Sequence, residues 1–320
     1  MRPSILAIVG PTAVGKSAVA ERLALALGGE VVSADSMQVY RGMDVGTAKT
    51  PPRDRLVPHH CLDLVDPGEP YSAALYQRDA RTAIADIAGR GLLPVVAGGT
   101  GLYVRAALDE MSFPAGAING ALRRDLERRL EEAGPEAMHA ELATTDPASA
   151  SLIHPHNVKR VLRALEMASQ GTSYASQAAG FARRRLHYPD TVFVGLTMER
   201  AALYERIDAR VDAMIGAGLI DEVRALLARG LRETLTAAQA IGYKELVAVI
   251  DGDDTLEAAV LAVKQASRRY AKRQLSWFRA DPRVTWLDVT GLSADETTAA
   301  ALELVESAAH QGPDEEGSAM

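Results

Sequence analysis

At 320 residues, nearly half of them apolar and about a quarter charged, the chain has the composition of an ordinary water-soluble globular protein and can bury a large core. No apolar run is long enough for a bilayer-spanning helix, and the short apolar start is not expected to be a signal peptide. A formal charge of −7 excludes a globally basic nucleic-acid binder, although local basic clusters still act on a partner at close range.

Ile5 to Val9 is apolar throughout, as expected of a parallel strand covered on both faces. It leads into Gly10-Pro11-Thr12-Ala13-Val14-Gly15-Lys16-Ser17, which fits G-x-x-x-x-G-K-[ST]. In that spacing the glycines let backbone N–H groups close around phosphate oxygens, the lysine adds a point charge, and the serine offers a hydroxyl to Mg²⁺. Ala18, Leu23 and Leu27 continue as a helix whose positive end faces the same anion. Residues 10–17 are therefore the expected phosphate loop, with the amides of Thr12 to Ser17 as donors and Ser17 as the Mg²⁺ ligand. The motif alone does not say which phosphate compound it holds.

Glu30 to Ala34 reads as a second strand ending at Asp35-Ser36-Met37-Gln38, where ligands gather in open α/β sheets. Pro58 to Asp63 is expected to begin a short strand, and the lone Cys61 within it cannot form an internal disulfide, which fits a reducing cytoplasm. Tyr71 to Arg90 has helical spacing with Ser72 as cap, Leu92 to Ala97 is a third apolar strand, and a helix follows from Leu102. From about Pro114 to Asp190 strand signals vanish, and Ala121–Glu132 and Asn157–Ser169 read as amphipathic helices. Thr191 to Leu196 returns as a strand, followed by helices at Arg200–Ile215, Ile220–Ala228 and Ala238–Ile250. A long helix starts after a capping-box pattern at Asp254-x-x-Glu257. Val284–Asp288 is a last strand, and Ser293-x-x-Glu296 opens a last helix.

The expected architecture is α/β: a P-loop parallel sheet flanked by helices, with an all-helical insertion domain. The predicted divisions are 1–113 for the first part of the core, 114–190 for the insertion, 191–308 for the rest of the core, and 309–320 for a disordered tail.

Gly10–Ser17, Asp35–Lys49, Val57–His60, Gly98–Tyr103, Lys159–Glu166, Gln239–Lys244 and Arg273–Arg279 resemble, in family order, the tRNA dimethylallyltransferases. The fifteen-residue string from Asp35 is the most specific of these blocks. The resemblance implies transfer of a dimethylallyl group from its diphosphate to N6 of the adenosine 3′ of the anticodon, tRNA position 37. In that family the substrates are tRNAs reading codons that begin with U, and the products are N6-isopentenyladenosine and diphosphate. It further implies Mg²⁺ as cofactor, tRNA and dimethylallyl diphosphate as partners, and a monomer in the cytoplasm with no membrane association. Family relatives in eukaryotes add a zinc finger; one cysteine and a short tail make this chain resemble the bacterial form.

The resemblance also assigns roles. Asp35 is the expected general base, with Thr12 and Arg210 contacting the diphosphate. The tRNA contacts are Asp35, Ser36, Met37, Gln38, Thr100, Gly101, Arg123, Lys159, Arg160, Val161, Leu162 and Arg163. Lys159, Arg160 and Arg163 make one basic helix edge, and Arg123-Arg124, Arg128-Arg129, Arg183–Arg185 and Arg268–Arg273 give further clusters suited to a phosphate backbone. Gln38 and Ser36 are candidates for the adenine edge, and Val39, Tyr40 and Tyr103 for a slot holding the prenyl tail. His59-His60 reads as structural or substrate-lining, and Trp277 and Phe278 as core. Two other readings compete: a small-molecule or nucleotide kinase using ATP at the same loop, and a nucleotide-binding switch without chemistry. The third strand ends in Ala97-Gly98-Gly99-Thr100 with no carboxylate for a phosphotransferase's Mg²⁺, which disfavours the kinase.

Overall fold

The computed structural model of the protein describes residues 3–113, 120–233 and 236–310. Among them the chain begins β1 (Ile5–Val9), α1 (Lys16–Leu27), β2 (Gly29–Ser33), β3 (His59–His60), α2 (Ala73–Gly89), β4 (Leu93–Gly98) and α3 (Gly101–Leu108). Four helices follow: α4 (Ala121–Thr145), α5 (Pro147–Leu152), α6 (Val158–Ser169) and α7 (Tyr174–Ala182). The chain continues with β5 (Thr191–Thr197), α8 (Arg200–Gly216), α9 (Leu219–Leu227), α10 (Tyr243–Asp251), α11 (Leu256–Arg279), β6 (Val284–Asp288) and α12 (Ala294–His310). Two compact units result: Asp109–His187 forms one, and the chain before and after it forms the other. The helical segment had been expected at 114–190.

In the larger unit the strands form one parallel sheet in the order β3-β2-β4-β1-β5-β6. Val9 lies opposite both Gly98 and Gly195, and Ser33 opposite Ala97, so β1, β2 and β4 end level with one another. Every residue of these three strands is buried, which explains the unbroken apolar runs of β1 and β4; in β2 the buried Glu30 and Ser33 are hydrogen-bonded, to Arg90 and Gln38. Leu6, Ile8, Val95 and Val194 pack with Leu23 of α1, Leu203 of α8 and Val305 of α12. Each such side chain contributes about 1.5–3 kcal/mol on burial, so this layer holds the strand ends in place.

Local signals set most helix ends. Ser72 accepts from the Leu75 amide, and Ser293 and Glu296 bond reciprocally to each other's amides. Two expectations are corrected. Thr255, not Asp254, caps α11 by accepting from the Ala258 amide. The helix expected over 238–250 begins only at Tyr243, after Gly242 turns the chain with a φ of +93°. Residues 311–320 of the expected tail lie outside the described residues, while α12 runs to His310.

Among its described residues the smaller unit has helices and one antiparallel bridge, Asp109 to Leu186, and no strand. Its core gathers Leu126, Met138, Leu142, Ile153, Val161 and Leu165. α4 bends at Gly134, where φ is +80° and Pro135 supplies no amide donor. α7 carries too little apolar periodicity to be read from the sequence; it is capped by Ser173 through the Ser176 amide.

The His59-His60 pair is structural. His60 Nε2 lies 2.7 Å from Glu30 Oε2, and His59 Nε2 lies 2.7 Å from Glu21 Oε1 on α1. Glu30 also accepts two 2.6 Å hydrogen bonds from the Arg90 guanidinium, which ties the end of α2 to the start of β2. Those bonds hold the Glu30 carboxyl at about 2, below the usual carboxylate range. A carboxyl lowered on folding stabilises the fold above its unfolded value and loses that contribution as pH falls through the folded one. Arg90→Ala is therefore expected to lower the melting temperature at pH 6–7. The gap from wild type should close as pH falls from about 4.5 to about 2, in thermal melts followed by circular dichroism.

Candidate active site

The phosphate loop joins the end of β1 to the start of α1. Gly10, Ala13 and Gly15 take φ values of +144°, +64° and +105°, which curl the loop back over the helix N-terminus. Gly10 has a second reason: a Cβ there would lie 2.5 Å from the Leu196 carbonyl oxygen on neighbouring β5. Pro11 and Val14 are buried and anchor the loop, while Ser17 is exposed at the start of α1. The Thr12 amide had been expected to serve phosphate. Instead it donates to Gln274 Oε1 at 2.8 Å, and Gln274 Nε2 donates to the Gly99 carbonyl at 3.0 Å. α11 thus pins the loop to the end of β4.

Lys16 Nζ donates to the Pro11 carbonyl at 2.6 Å. Burial, then the nearby Arg210 guanidinium, push the Lys16 ammonium down to about 7, and Asp35 opposes both. Arg210, on α8, is itself lowered by burial and held up by Asp35. Only the family resemblance had singled out Arg210; the fold brings it near Lys16 of the phosphate loop.

A cavity of about 290 Å³ opens beside the loop, with Thr12, Asp35, Ser36, Met37, Thr47 and Arg210 on its polar side. Asp35 Oδ1 accepts from the Met37 amide at 2.9 Å, so the turn after β2 fixes the carboxylate. Thr100 Oγ1 accepts from the Ser36 amide at 3.1 Å and bonds the Ser36 hydroxyl at 3.3 Å, joining the ends of β2 and β4. Gly101 follows as the first residue of α3. The Gln38 carboxamide is held within the protein: it accepts from the Ser33 hydroxyl at 2.8 Å and donates to the Thr47 carbonyl at 3.2 Å. Its geometry makes it a support for the loop after β2, and an adenine edge would have to displace those partners.

The apolar wall is not where the sequence suggested. Val39, Tyr40 and Tyr103 are buried in the core and do not line the cavity. Ile207, Val211, Met214, Leu219, Ile241 and Val263 supply the wall instead, from α8, α9, α11 and the turn before α10. These positions carry ordinary helix periodicity, and no sequence signal separates a cavity-lining face from a core face. Phe278 is core as expected, whereas Trp277 is 43% exposed.

In the smaller unit, Lys159 and Arg160 are exposed on α6, and Arg163 bonds Glu166 at 3.4 Å. Val161 and Leu162 were expected among the tRNA contacts, but their side chains point into that unit's core at 1% exposure. Arg123 is paired with Glu127 at 2.8 Å and lies 3.7 Å from Glu166, so its charge is partly neutralised inside the unit. Among the described residues no three His, Cys, Asp or Glu side chains gather to hold a metal ion. A small divalent ion that keeps its waters and takes substrate oxygens needs few protein ligands, and the Ser17 hydroxyl fits that mode.

A glycine-rich loop between a central parallel strand and a helix, at the carboxyl end of the sheet, defines the class of α/β proteins built around a phosphate loop. The model of the IPP transferase family matches residues 38–281, and that of isopentenyl transferases matches residues 3–56. The chain belongs to the IPP transferase family. It is 51% identical to a tRNA dimethylallyltransferase of Geobacillus kaustophilus, over 91% of this chain and 92% of the relative. It is 46% identical to that of Bacillus subtilis, over 89% and 91%. A crystal structure of a tRNA isopentenylpyrophosphate transferase from Bacillus halodurans superposes with a TM-score of 0.69 at 43% identity, covering 97% of this chain and 99% of that one. A eukaryotic dimethylallyltransferase described as acting on tRNA superposes with a TM-score of 0.78 at 30% identity, covering 94% and 77%.

With the Lys16 ammonium pushed down to about 7 by burial and Arg210, an anion bound beside it at higher pH favours its protonated form. A diphosphate ester that binds at this loop at pH 8 should therefore take up protons, measured calorimetrically in buffers of different ionisation heat. Lys16→Met should abolish the uptake, and a heat independent of buffer in the wild type would refute it.

Proposed function

We propose that the chain transfers the dimethylallyl group of dimethylallyl diphosphate to N6 of the adenosine at tRNA position 37, 3′ of the anticodon, in tRNAs reading codons that begin with U. The single observation that carries this reading is the cavity in which Asp35, Arg210 and the phosphate loop meet an apolar wall. A diphosphate ester of a short hydrocarbon matches both sides of it. The diphosphate lies against the phosphate loop, Lys16 and Arg210; the five-carbon tail takes the dry wall, where burial is worth about 25 cal/mol per Å².

The N6 lone pair attacks the allylic carbon, the carbon–oxygen bond breaks, and its electron pair leaves on the diphosphate. Asp35 accepts the N6 proton as the new bond forms. Lys16 and Arg210 stabilise the charge growing on the departing oxygen, with Thr12 beside them on the loop. The Ser17 hydroxyl would hold Mg²⁺, which would supply further charge stabilisation to the leaving group. The products are N6-isopentenyladenosine in the tRNA and free diphosphate. A kinase reading is disfavoured by the carboxylate-free end of β4 and by the family to which the chain belongs.

The smaller unit is proposed to hold the anticodon stem-loop through Lys159, Arg160 and Arg163, since the loop's unpaired bases can be splayed out toward a pocket. No helix among the described residues is long and apolar enough to cross a membrane, and action on tRNA as a cytoplasmic monomer is the setting proposed.

The test is the mass gain of tRNA incubated with the protein, Mg²⁺ and dimethylallyl diphosphate. Asp35→Asn should lower kcat by about 10²–10⁴-fold with tRNA affinity little changed. Near-normal turnover of that variant would remove Asp35 from the role of base. Changing Lys159, Arg160 and Arg163 together to Ala should weaken tRNA binding and flatten its dependence on salt, leaving dimethylallyl diphosphate binding intact. An unchanged salt slope would place the backbone contacts elsewhere.

A further inference from the structure

Glu222 stands in the first turn of α9, outside every motif read from the sequence. Its carboxylate collects four donors. Oε2 accepts from the amides of Asp44 and Val45 at 2.9 and 2.7 Å. Oε1 accepts from the Gly46 amide at 3.1 Å and from the Tyr243 hydroxyl at 2.7 Å. Tyr243 is buried and lies over Gly46 so closely that a Cβ there would come within 2.5 Å of its oxygen. Three successive amides on one carboxylate fix the loop's backbone as a nest fixes an anion, with the protein supplying the anion itself.

The residue that emerges from this nest is Thr47. Its carbonyl accepts from Arg210 at 3.4 Å and from Gln38 at 3.2 Å, and its hydroxyl closes the loop onto the Met43 carbonyl at 2.6 Å. On the other side of the loop, Lys49 reaches Asp44, Asp63 and the Tyr40 carbonyl at 2.6, 2.6 and 2.9 Å. Gly46, Thr47, Arg210 and Tyr243 all line the cavity. One chain of bonds therefore runs from Glu222 through the loop to the guanidinium that faces the phosphate loop.

We propose that Glu222 is a positioning residue. By holding Asp44–Gly46 it sets the Thr47 carbonyl, and the Thr47 carbonyl sets Arg210 for the diphosphate. The nest is filled by a permanent protein carboxylate, so the loop needs no ligand to take its shape. The site is then pre-organised before substrate arrives, and Arg210 pays little ordering entropy on binding. The significance for transfer rests on the proposed function, but the positioning itself is read by binding alone.

The test is a double-mutant cycle on purified, folded protein, with dissociation constants for dimethylallyl diphosphate and for inorganic diphosphate measured by calorimetry. Glu222→Gln places an amide nitrogen where an acceptor is needed and should weaken both ligands about tenfold in the wild-type background. In an Arg210→Ala background the same change should weaken them less than twofold, because the group it positions is gone. An equal factor in both backgrounds, or no effect in either, would overturn the proposal in favour of a purely structural role. Should Glu222→Gln fail to fold, Tyr243→Phe removes one donor of four and should show a smaller loss, again only when Arg210 is present. Protein that binds dimethylallyl diphosphate yet leaves tRNA unmodified would sink the proposed function while the cycle still decides the role of Glu222.

Discussion

Lys16 and Arg210 are half-buried, and both feel the Asp35 carboxylate. Burial disfavours both cations, and Arg210 further disfavours Lys16; Asp35 only partly compensates. A site with this imbalance is completed by an anion, since a diphosphate returns to the cations the stabilisation they lost with their water. In the proposed reaction the same shortage of compensating charge stabilises the leaving diphosphate.

That arrangement needs groups from distant parts of the chain to meet with little tolerance, and the sheet supplies the frame. β1, β2 and β4 end level, which delivers the phosphate loop, Asp35 and Thr100 to one edge. α11 reaches across that edge through Gln274, bonding both the Thr12 amide and the Gly99 carbonyl. α8 contributes Arg210, and α9 contributes the Glu222 carboxylate that fixes the loop on which Arg210 leans. The larger unit therefore builds the chemistry from both ends of the sequence, with the helical unit of Asp109–His187 inserted between its halves.

The helical unit has its own economy. The α6 helix turns Val161 and Leu162 inward as its core and leaves Lys159 and Arg160 outside, so a single amphipathic segment serves packing and the proposed tRNA contact at once. Arg123 is tied to glutamates within the unit. Its charge is better suited to shaping that surface than to holding a phosphate alone.

What the sequence by itself determined is whatever is encoded within a few residues. The apolar strands and the G-x-x-x-x-G-K-S turn follow from local sterics, and so do the Ser72 and Ser293 caps and the basic edge of α6. The run from Asp35 to Lys49 was legible too, but only as a family likeness; its reason became clear with the bonds of Lys49 and Glu222. What only the tertiary structure decided depends on partners far apart in the chain. Arg210 differs from a surface arginine only because α8 packs beside the phosphate loop, and the apolar wall differs from core only because a cavity lies against it. Gln38 and the Thr12 amide looked like ligand groups until neighbours 9 and 262 residues away took up their hydrogen bonds. Helix periodicity records that a face is covered; by what, it cannot record, because that depends on packing between segments that share no local sequence.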